Sequence, residues 1–160
     1  MVSKRSIVRQ VCRQLGEELD SITGASRAMH ADASDDQNKA EDKYDTRGLE
    51  TAYLASSQAR LATKTEQALA AFQALTLRKF DADTPIDVSA MVELESNGDH
   101  ALYLIGPQGG GTEVHYQDLE IFVITPESPL GAQLIGKKNG DRVKLQTRGP
   151  AQEFRITDVW

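Results

Sequence analysis

Residues 120–141 read EIFVITPESPLGAQLIGKKNGD, and the stretch contains signals for a strand, a short helix and a turn in direct succession. The apolar run before the first proline is suited to a central β-strand. Ser128 is a favourable N-cap, Pro129 fits the first helical position, and Gly136 is a residue type that ends helices. The Asn-Gly pair near the end supplies a tight turn before the next strand. The stretch therefore predicts one short helix between two strands.

The rest of the C-terminal half has the pattern of a small β-sheet. Its short apolar or alternating runs are broken by Gly, Pro and Asn-Gly. They predict four or five strands, which fall in residues 86–95, 100–105, 119–125, 142–146 and 154–160. We expect a mostly antiparallel sheet wrapped on the short helix. The Asp-Ala-Asp-Thr-Pro segment at residues 81–85 reads as a linker, so the predicted domains are residues 1–80 and 81–160.

The N-terminal half reads as helix, because glycine is sparse and no proline occurs before Pro85. A mostly apolar seam in the first helix alternates spacings of four and three over about three heptads; its residues are Val8, Cys12, Leu15, Leu19, Ile22, Ser26 and Met29. The second helix has a seven-residue repeat of Leu54, Leu61, Ala68 and Leu75, with Gln58, Thr65 and Phe72 between. Two such seams predict an antiparallel helical hairpin, a coiled coil with arms ~40 Å long. A compact bundle is the alternative, but this half offers no third or fourth helix. The predicted fold class is α+β.

Composition excludes several classes of protein. Apolar residues make up 39% and charged residues 26%, as in ordinary globular proteins. No stretch approaches the ~20 apolar residues of a membrane span, and the polar N-terminal segment lacks a signal core, so we expect a cytoplasmic location. The net charge of −6 argues against general nucleic-acid binding. The single cysteine, Cys12, excludes an internal disulfide framework and reads as a small buried hydrophobe.

An acidic segment joins the two predicted helices. Residues 31–45 hold six acids, Asp32, Asp35, Asp36, Glu41, Asp42 and Asp45, against Lys39 and Lys43, a local charge of −4. Mg²⁺ prefers oxygen ligands and usually takes one or two carboxylates while keeping waters, so a carboxylate pair on a projecting hairpin suits a metal site completed inside another enzyme. The alternative is a solvated turn with helix caps, since Asp42 and Asp45 resemble a shortened capping box. Judged from charge alone, the solvated turn with helix caps is the favoured interpretation of this segment.

Two further features receive structural interpretations. The glycine-rich segment at residues 106–111 lacks the Lys-Ser/Thr of a phosphate loop and does not open a helix, so we interpret it as a connection between strands. His30, His100 and His115 are scattered without a recognisable metal-ligand spacing. We interpret each as a surface or partly buried structural histidine.

Residues 120–141 resemble the signature of the C-terminal domain of the GreA/GreB family. That pattern runs from a strand through Ser-Pro-aliphatic, a short helix and Leu-Ile-Gly-Lys to a Gly-Asp turn, and the match is tightest over residues 128–141. The domain order and the chain length also fit this family. The resemblance implies that the sheet domain is FKBP-like and follows a coiled-coil hairpin.

The resemblance implies a partner and a role. Gre factors dock their C-terminal domain at the rim of the secondary channel of bacterial RNA polymerase, and the coiled coil threads inward. It thus implies a transcription elongation factor that is not itself an enzyme but activates the polymerase's own cleavage of backtracked RNA. Ser128, Pro129 and Leu130 would lie in the docking surface. Nascent RNA would be contacted only indirectly, with no sequence-specific DNA binding.

The family's acidic tip residues help hold the second catalytic Mg²⁺ of the polymerase and orient a water. By resemblance the tip residues of this chain are Glu41, Asp42 and Asp45, with Glu41 and Asp45 as ligands of that shared Mg²⁺. No cofactor is implied for the chain alone. The tip departs from the family pattern Asp-Leu-x-Glu-Asn-Ala-Glu-Tyr, because Asn38 stands where the first Asp is expected. This departure favours a second hypothesis, a Gre-like regulator that occupies the channel without stimulating cleavage.

A third hypothesis is a prolyl isomerase or chaperone, because FKBP-like domains often have that activity. Such enzymes need a proline pocket lined by aromatic side chains, and this chain is only 6% aromatic. The aromatic residues of the C-terminal half, Tyr103, Tyr116, Phe122, Phe154 and Trp160, mostly occupy strand positions that read as core. We therefore disfavour this hypothesis.

Overall fold

The computed structural model describes the backbone of residues 2–37 and 46–160, and the side chains of residues 2–25 and 48–160. Two long helices come first, α1 (Lys4–Gln37) and α2 (Thr46–Gln73). The strands and the short helix follow in the order β1 (Met91–Ser96), β2 (Asp99–Ile105), β3 (Glu113–Tyr116), β4 (Leu119–Ile124), α3 (Pro129–Leu134), β5 (Arg142–Leu145) and β6 (Gln152–Val159). No helix in these ranges combines the length and the apolar composition of a membrane span.

Helices α1 and α2 form the antiparallel hairpin, which confirms the predicted fold of this half. Ile7, Val11 and Leu15 near the start of α1 share a core with Ala68 and Phe72 near the end of α2. Ile7 and Val11 are fully buried, although the seam predicted from sequence passed over both. The described part of the chain contains no third long helix, so the compact-bundle alternative is wrong.

The predicted seam of α2 is wrong at its leucines. Leu54 and Leu61 are 49% and 46% exposed, and Leu75 lies beyond the end of the helix. The buried positions are Thr65, Ala68 and Phe72, with the small Ala62 partly buried above them. A strict seven-residue row drifts ~20° per heptad around a helix of 3.6 residues per turn. The repeat of Leu54, Leu61 and Ala68 therefore faces α1 only near the C-terminal end of α2, at Ala68.

The base of the hairpin and the sheet share one hydrophobic core. Phe72 of α2 is 1% exposed and lies in the same cluster as Met91 of β1, Leu104 of β2 and Ile121 of β4. Burying an aromatic side chain of this kind contributes roughly 1.5–3 kcal/mol. The hairpin is thus fixed to the sheet through its base, while the division of the chain at residue 81 stays a prediction.

The six strands form one sheet in the order β3-β4-β2-β1-β6-β5. All neighbours are antiparallel except β2 and β4, which are parallel and pair Leu102 with Ile121 through to Ile105 with Ile124. The prediction of a mostly antiparallel sheet is confirmed, and β2–β4 is its one parallel pair among the described strands. The parallel pairing arises because the chain leaves β2 and first forms β3 at the edge of the sheet, one strand position away. The chain then returns as β4, which fills the position between β3 and β2. The predicted strand at residues 86–95 begins only at Met91.

Helix α3 covers the face of the sheet opposite the hairpin and begins as predicted. The Ser128 hydroxyl oxygen accepts a hydrogen bond from the Gly131 N–H at 3.0 Å, and Pro129 occupies the first turn. Leu130 and Leu134 are buried in a second core cluster with residues of β1, β2, β5 and β6. Gly136 then adopts φ 82°, a left-handed conformation that suits glycine and ends the helix.

Lys4 fastens the start of α1 to the end of the sheet. Its Nζ donates to the carbonyl oxygen of Trp160 at 3.2 Å and to that of Arg78. Burial, and secondarily the nearby Arg78 charge, lower the pKa of Lys4 to about 8 from 10.5. An unfolded chain keeps this proton up to its ordinary pKa, so between these values the unfolded state binds more protons. The contribution of Lys4 to the free energy of unfolding therefore rises with pH across that window.

We expect the Lys4 side chain to titrate near pH 8, which NMR of its ε-methylene group measures directly. The substitution Arg78→Gln removes the smaller of the two causes and should raise the midpoint. Arg142→Gln, a change on the remote strand β5, is the control and should leave the Lys4 midpoint in place. A Lys4 midpoint near 10.5 in the unmodified protein would contradict this assignment.

Candidate functional site

The predicted tip residues Glu41, Asp42 and Asp45 lie outside the described residues, as does Asn38. The structure gives the helices that they join. Helix α1 runs to Gln37 and α2 begins at Thr46, so residues 31–37 of the acidic segment are helical and residues 38–45 connect the two helices, at the end of the hairpin away from the shared core. From Leu15, the last buried residue among the described side chains of α1, to the end of that helix is roughly 33 Å at ~1.5 Å rise per residue.

The hairpin beyond its base has little buried surface. None of the described side chains in residues 16–25 and 48–64 is buried, whereas Ile7, Val11 and Phe72 at the base are fully or almost fully enclosed. Among the described side chains of α1, Gln14 is the last with a hydrogen bond to the sheet; its Nε2 donates to the Glu113 carbonyl oxygen at 2.7 Å. The burial pattern is that of an arm held at one end.

Three residues at the start of α3 were predicted to contact a partner, and they differ in what they expose. Pro129 is exposed. The Ser128 hydroxyl is partly buried and engaged within the cap, where it donates to the Thr125 carbonyl at 2.7 Å. Leu130 is only 9% exposed and belongs to the core beneath α3. A partner approaching this segment would meet Pro129 first, and a docking role for the three stays a prediction.

An open cleft of about 870 Å³ lies between the hairpin and the glycine-rich segment, just above the point where that segment contacts Phe72 and Ala68. Leu61, Lys64 and Ala68 of α2 line one side, and residues 107–113 line the other, with Ser128 at the margin. Gly106 N–H donates to the Ile124 carbonyl and Gly111 N–H to the Val123 carbonyl, so the segment is held along β4. This agrees with its interpretation as a connection between strands.

Residues 84–160 match the family model described as "Transcription elongation factor, GreA/GreB, C-term". The match covers the whole sheet and α3, including the segment at residues 128–141 that carried the resemblance. The C-terminal domain of this chain belongs to the GreA/GreB family. Members of this family are transcription elongation factors, which act with RNA polymerase.

Several solved structures are similar to this chain at low sequence identity and low TM-score. Gfh1, the GreA factor homolog 1 of Thermus thermophilus, is 19% identical with a TM-score of 0.39, covering 93% of this chain and 94% of that one. Thermus aquaticus Gfh1 is 19% identical with a TM-score of 0.39, covering 92% of each chain. A GreA/GreB elongation factor from Nitrosomonas europaea is 16% identical with a TM-score of 0.36, covering 59% of this chain and 78% of that one. No curated protein sequence matches the chain.

Membership of the Gre family rests on the C-terminal domain, because the solved structures are too dissimilar to transfer a function. The family match begins at residue 84 and so leaves the hairpin and its acidic segment unmatched.

Proposed function

We propose that this chain binds bacterial RNA polymerase at its secondary channel and stimulates cleavage of backtracked RNA through its acidic tip. The observation that carries the proposal is the arm itself: two helices anchored at one end, with six acids and two lysines in residues 31–45, which span the last turns of α1 and the connection to α2. A narrow rod of two helices, each ~10 Å wide, can enter a channel that a globular domain cannot.

In this proposal the tip assists a metal site that belongs to the polymerase. Hydrolysis of an RNA phosphodiester by two metals needs both ions held on the phosphate and a water aligned for attack. Glu41 and Asp45 are proposed to hold the second Mg²⁺, with Asp42 beside them to orient the water. The chain would supply carboxylates and positioning, while the polymerase supplies the rest of the active site.

The docking role is proposed for the C-terminal domain, with Ser128, Pro129 and Leu130 at the contact. The internal hydrogen bonds of the cap hold this segment rigid, so little conformational freedom is lost when a partner binds it. Rigid docking at one end of the molecule also fixes where the far end of the hairpin arrives.

The test is a double substitution at the tip. In the variant Glu41→Ala/Asp45→Ala we expect cleavage of RNA in stalled, backtracked complexes to fall on the order of 100-fold, because the metal and water lose their positioning. Polymerase affinity, measured by fluorescence anisotropy, should stay near that of the unmodified protein. The matched control is Glu17→Ala/Asp20→Ala, which removes the same charge from exposed positions on α1.

Each outcome separates the hypotheses. Full cleavage by the tip variant would reject the proposed tip site. Binding without any stimulation by the unmodified protein would favour the alternative, a Gre-like regulator that occupies the channel without promoting cleavage. That alternative is supported by Asn38, which stands where the family pattern has an acid. Absence of polymerase binding would overturn both.

A further inference from the structure

The edge hairpin formed by β3 and β4 brings three potential metal ligands together. His115 lies directly across from Glu120 in the antiparallel register, and Glu113 precedes His115 by two residues on the same strand face. Val114 between them is fully buried, so the three polar side chains lie on the opposite, exposed face. One ligand atom from each of the three lies within 4.8 Å of the others, and His115 Nε2 is 3.3 Å from Glu113 Oε1.

The charges of this cluster are not balanced by a basic residue. In the described part of the chain, neither Glu113 nor Glu120 forms an ion pair with a lysine or an arginine. Ligand atoms of the two carboxylates lie within 4.8 Å of each other on the exposed strand face. A cation between them would offset their mutual repulsion.

We propose that Glu113, His115 and Glu120 form a binding site for a divalent transition-metal ion of the zinc type. Zinc bonds to imidazole nitrogen and carboxylate oxygen at ~2.0–2.2 Å, which places neighbouring ligand atoms about 3.3 Å apart in a tetrahedral site. The His115–Glu113 separation already matches this spacing, and Glu120 closes the remainder by a rotamer change of an exposed side chain. Water completes the coordination.

The imidazole decides which class of ion fits. Magnesium and calcium prefer oxygen ligands alone, whereas zinc, nickel and copper accept a histidine nitrogen. The site therefore differs from the proposed tip, which would act on the Mg²⁺ of the polymerase. It lies on the sheet domain, so its existence does not depend on the proposed function.

The predicted effect on the fold is local. An ion held by two residues of β3 and one of β4 links the edge strand to its neighbour, and the Glu113 carbonyl is also the acceptor for Gln14 of α1. A ligand that binds only the folded state raises the free energy of unfolding. We therefore expect zinc to raise the melting temperature of the unmodified protein.

The experiment is a titration of the full-length, untagged chain with ZnCl₂, followed by calorimetry and by ¹⁵N NMR. We expect one zinc per chain, with shifts concentrated in residues 113–120, and no comparable response to MgCl₂. His115→Ala and the nearly isosteric Glu120→Gln should each weaken binding by at least about 10-fold. Both positions are exposed, and circular dichroism checks that the variants remain folded.

The matched control is His100→Ala. His100 is an exposed histidine with its Nδ1 3.5 Å from Glu93 Oε2. Its cross-strand neighbour Glu95 instead pairs with Arg155 and accepts from Gly98 N–H, so no three-ligand cluster forms there among the described residues. Zinc affinity should be unchanged in this variant. Equal loss in the His100 and His115 variants, no loss in either ligand variant, or no zinc binding by the unmodified protein would overturn the proposal. None of these results bears on polymerase binding, so failure here is distinguishable from failure of the proposed function.

Discussion

Gly131→Ala is expected to destabilise the sheet domain by about 3 kcal/mol, which combines overpacking with loss of a helix cap. A Cβ atom at this position would lie 1.9 Å from the Thr125 carbonyl oxygen and 2.7 Å from the Ser128 hydroxyl oxygen. Neither atom can withdraw cheaply. The Thr125 carbonyl accepts hydrogen bonds from both the N–H and the hydroxyl of Ser128, and that hydroxyl in turn accepts from Gly131 N–H.

The measurement for Gly131→Ala is urea unfolding followed by circular dichroism. The control is Gly16→Ala, a helical glycine of α1 with no atom within 4 Å of an added Cβ. This change should leave the free energy of unfolding unchanged or raise it by up to ~1 kcal/mol, because alanine is the better helix former. A Gly131→Ala variant within 0.5 kcal/mol of the unmodified protein, roughly the level of an ordinary surface change, would show that the close approach is relieved in solution.

Helix α3 was predictable from sequence because its determinants are local. Ser128, Pro129 and Gly136 act on backbone groups within a few residues of themselves, and the structure places each in its expected role. Residues 119–125 were predicted as a strand on the same basis, since a continuous apolar run is suited to burial among neighbouring strands. The tight succession of these elements made residues 120–141 the most informative part of the chain.

The sheet contained features that no local pattern encodes. Strand β3 escaped prediction because it is four residues long and at the edge, with Val114 as its one buried side chain. The parallel pairing of β2 with β4 depends on where the chain returns after β3, which is a property of the whole sheet. For a related reason, the leucines of α2 did not predict its packing face. The helix packs through Ala62, Thr65, Ala68 and Phe72.

The two candidate sites also differ in whether a local sequence pattern reveals them. The acidic tip is a contiguous run of charge and was visible in the sequence, although Glu41, Asp42 and Asp45 stay a prediction. The cluster of Glu113, His115 and Glu120 was missed, and His115 was interpreted as structural. Its members become neighbours only through the β3–β4 register, so their recognition required a strand that the sequence did not reveal.

Phe72→Ala is the second substitution with a large expected effect, a loss of about 3–5 kcal/mol in the free energy of unfolding. The ring is 1% exposed and joins the base of the hairpin to the sheet core. It also lies against the glycine-rich segment, since a Cβ at Gly106 would come within 2.7 Å of its Cζ. Truncation leaves a cavity between α2, the sheet and the glycine-rich segment. Because each of these is held by its own hydrogen bonds, they cannot close around the cavity.

The cost of Phe72→Ala is a large fraction of the ~5–15 kcal/mol that stabilises a typical domain, and it falls on the hydrophobic core that joins arm and sheet. Hydrogen exchange should therefore accelerate at the base of α1, around Ile7 and Val11, as well as in α2. Tyr53→Ala is the control, because that aromatic residue of the same helix is 69% exposed, and its loss should change stability by no more than ~0.5 kcal/mol. If the two variants lost equal stability, the hairpin would be held by its length rather than by its base, and a docked sheet domain could not set the position of the tip.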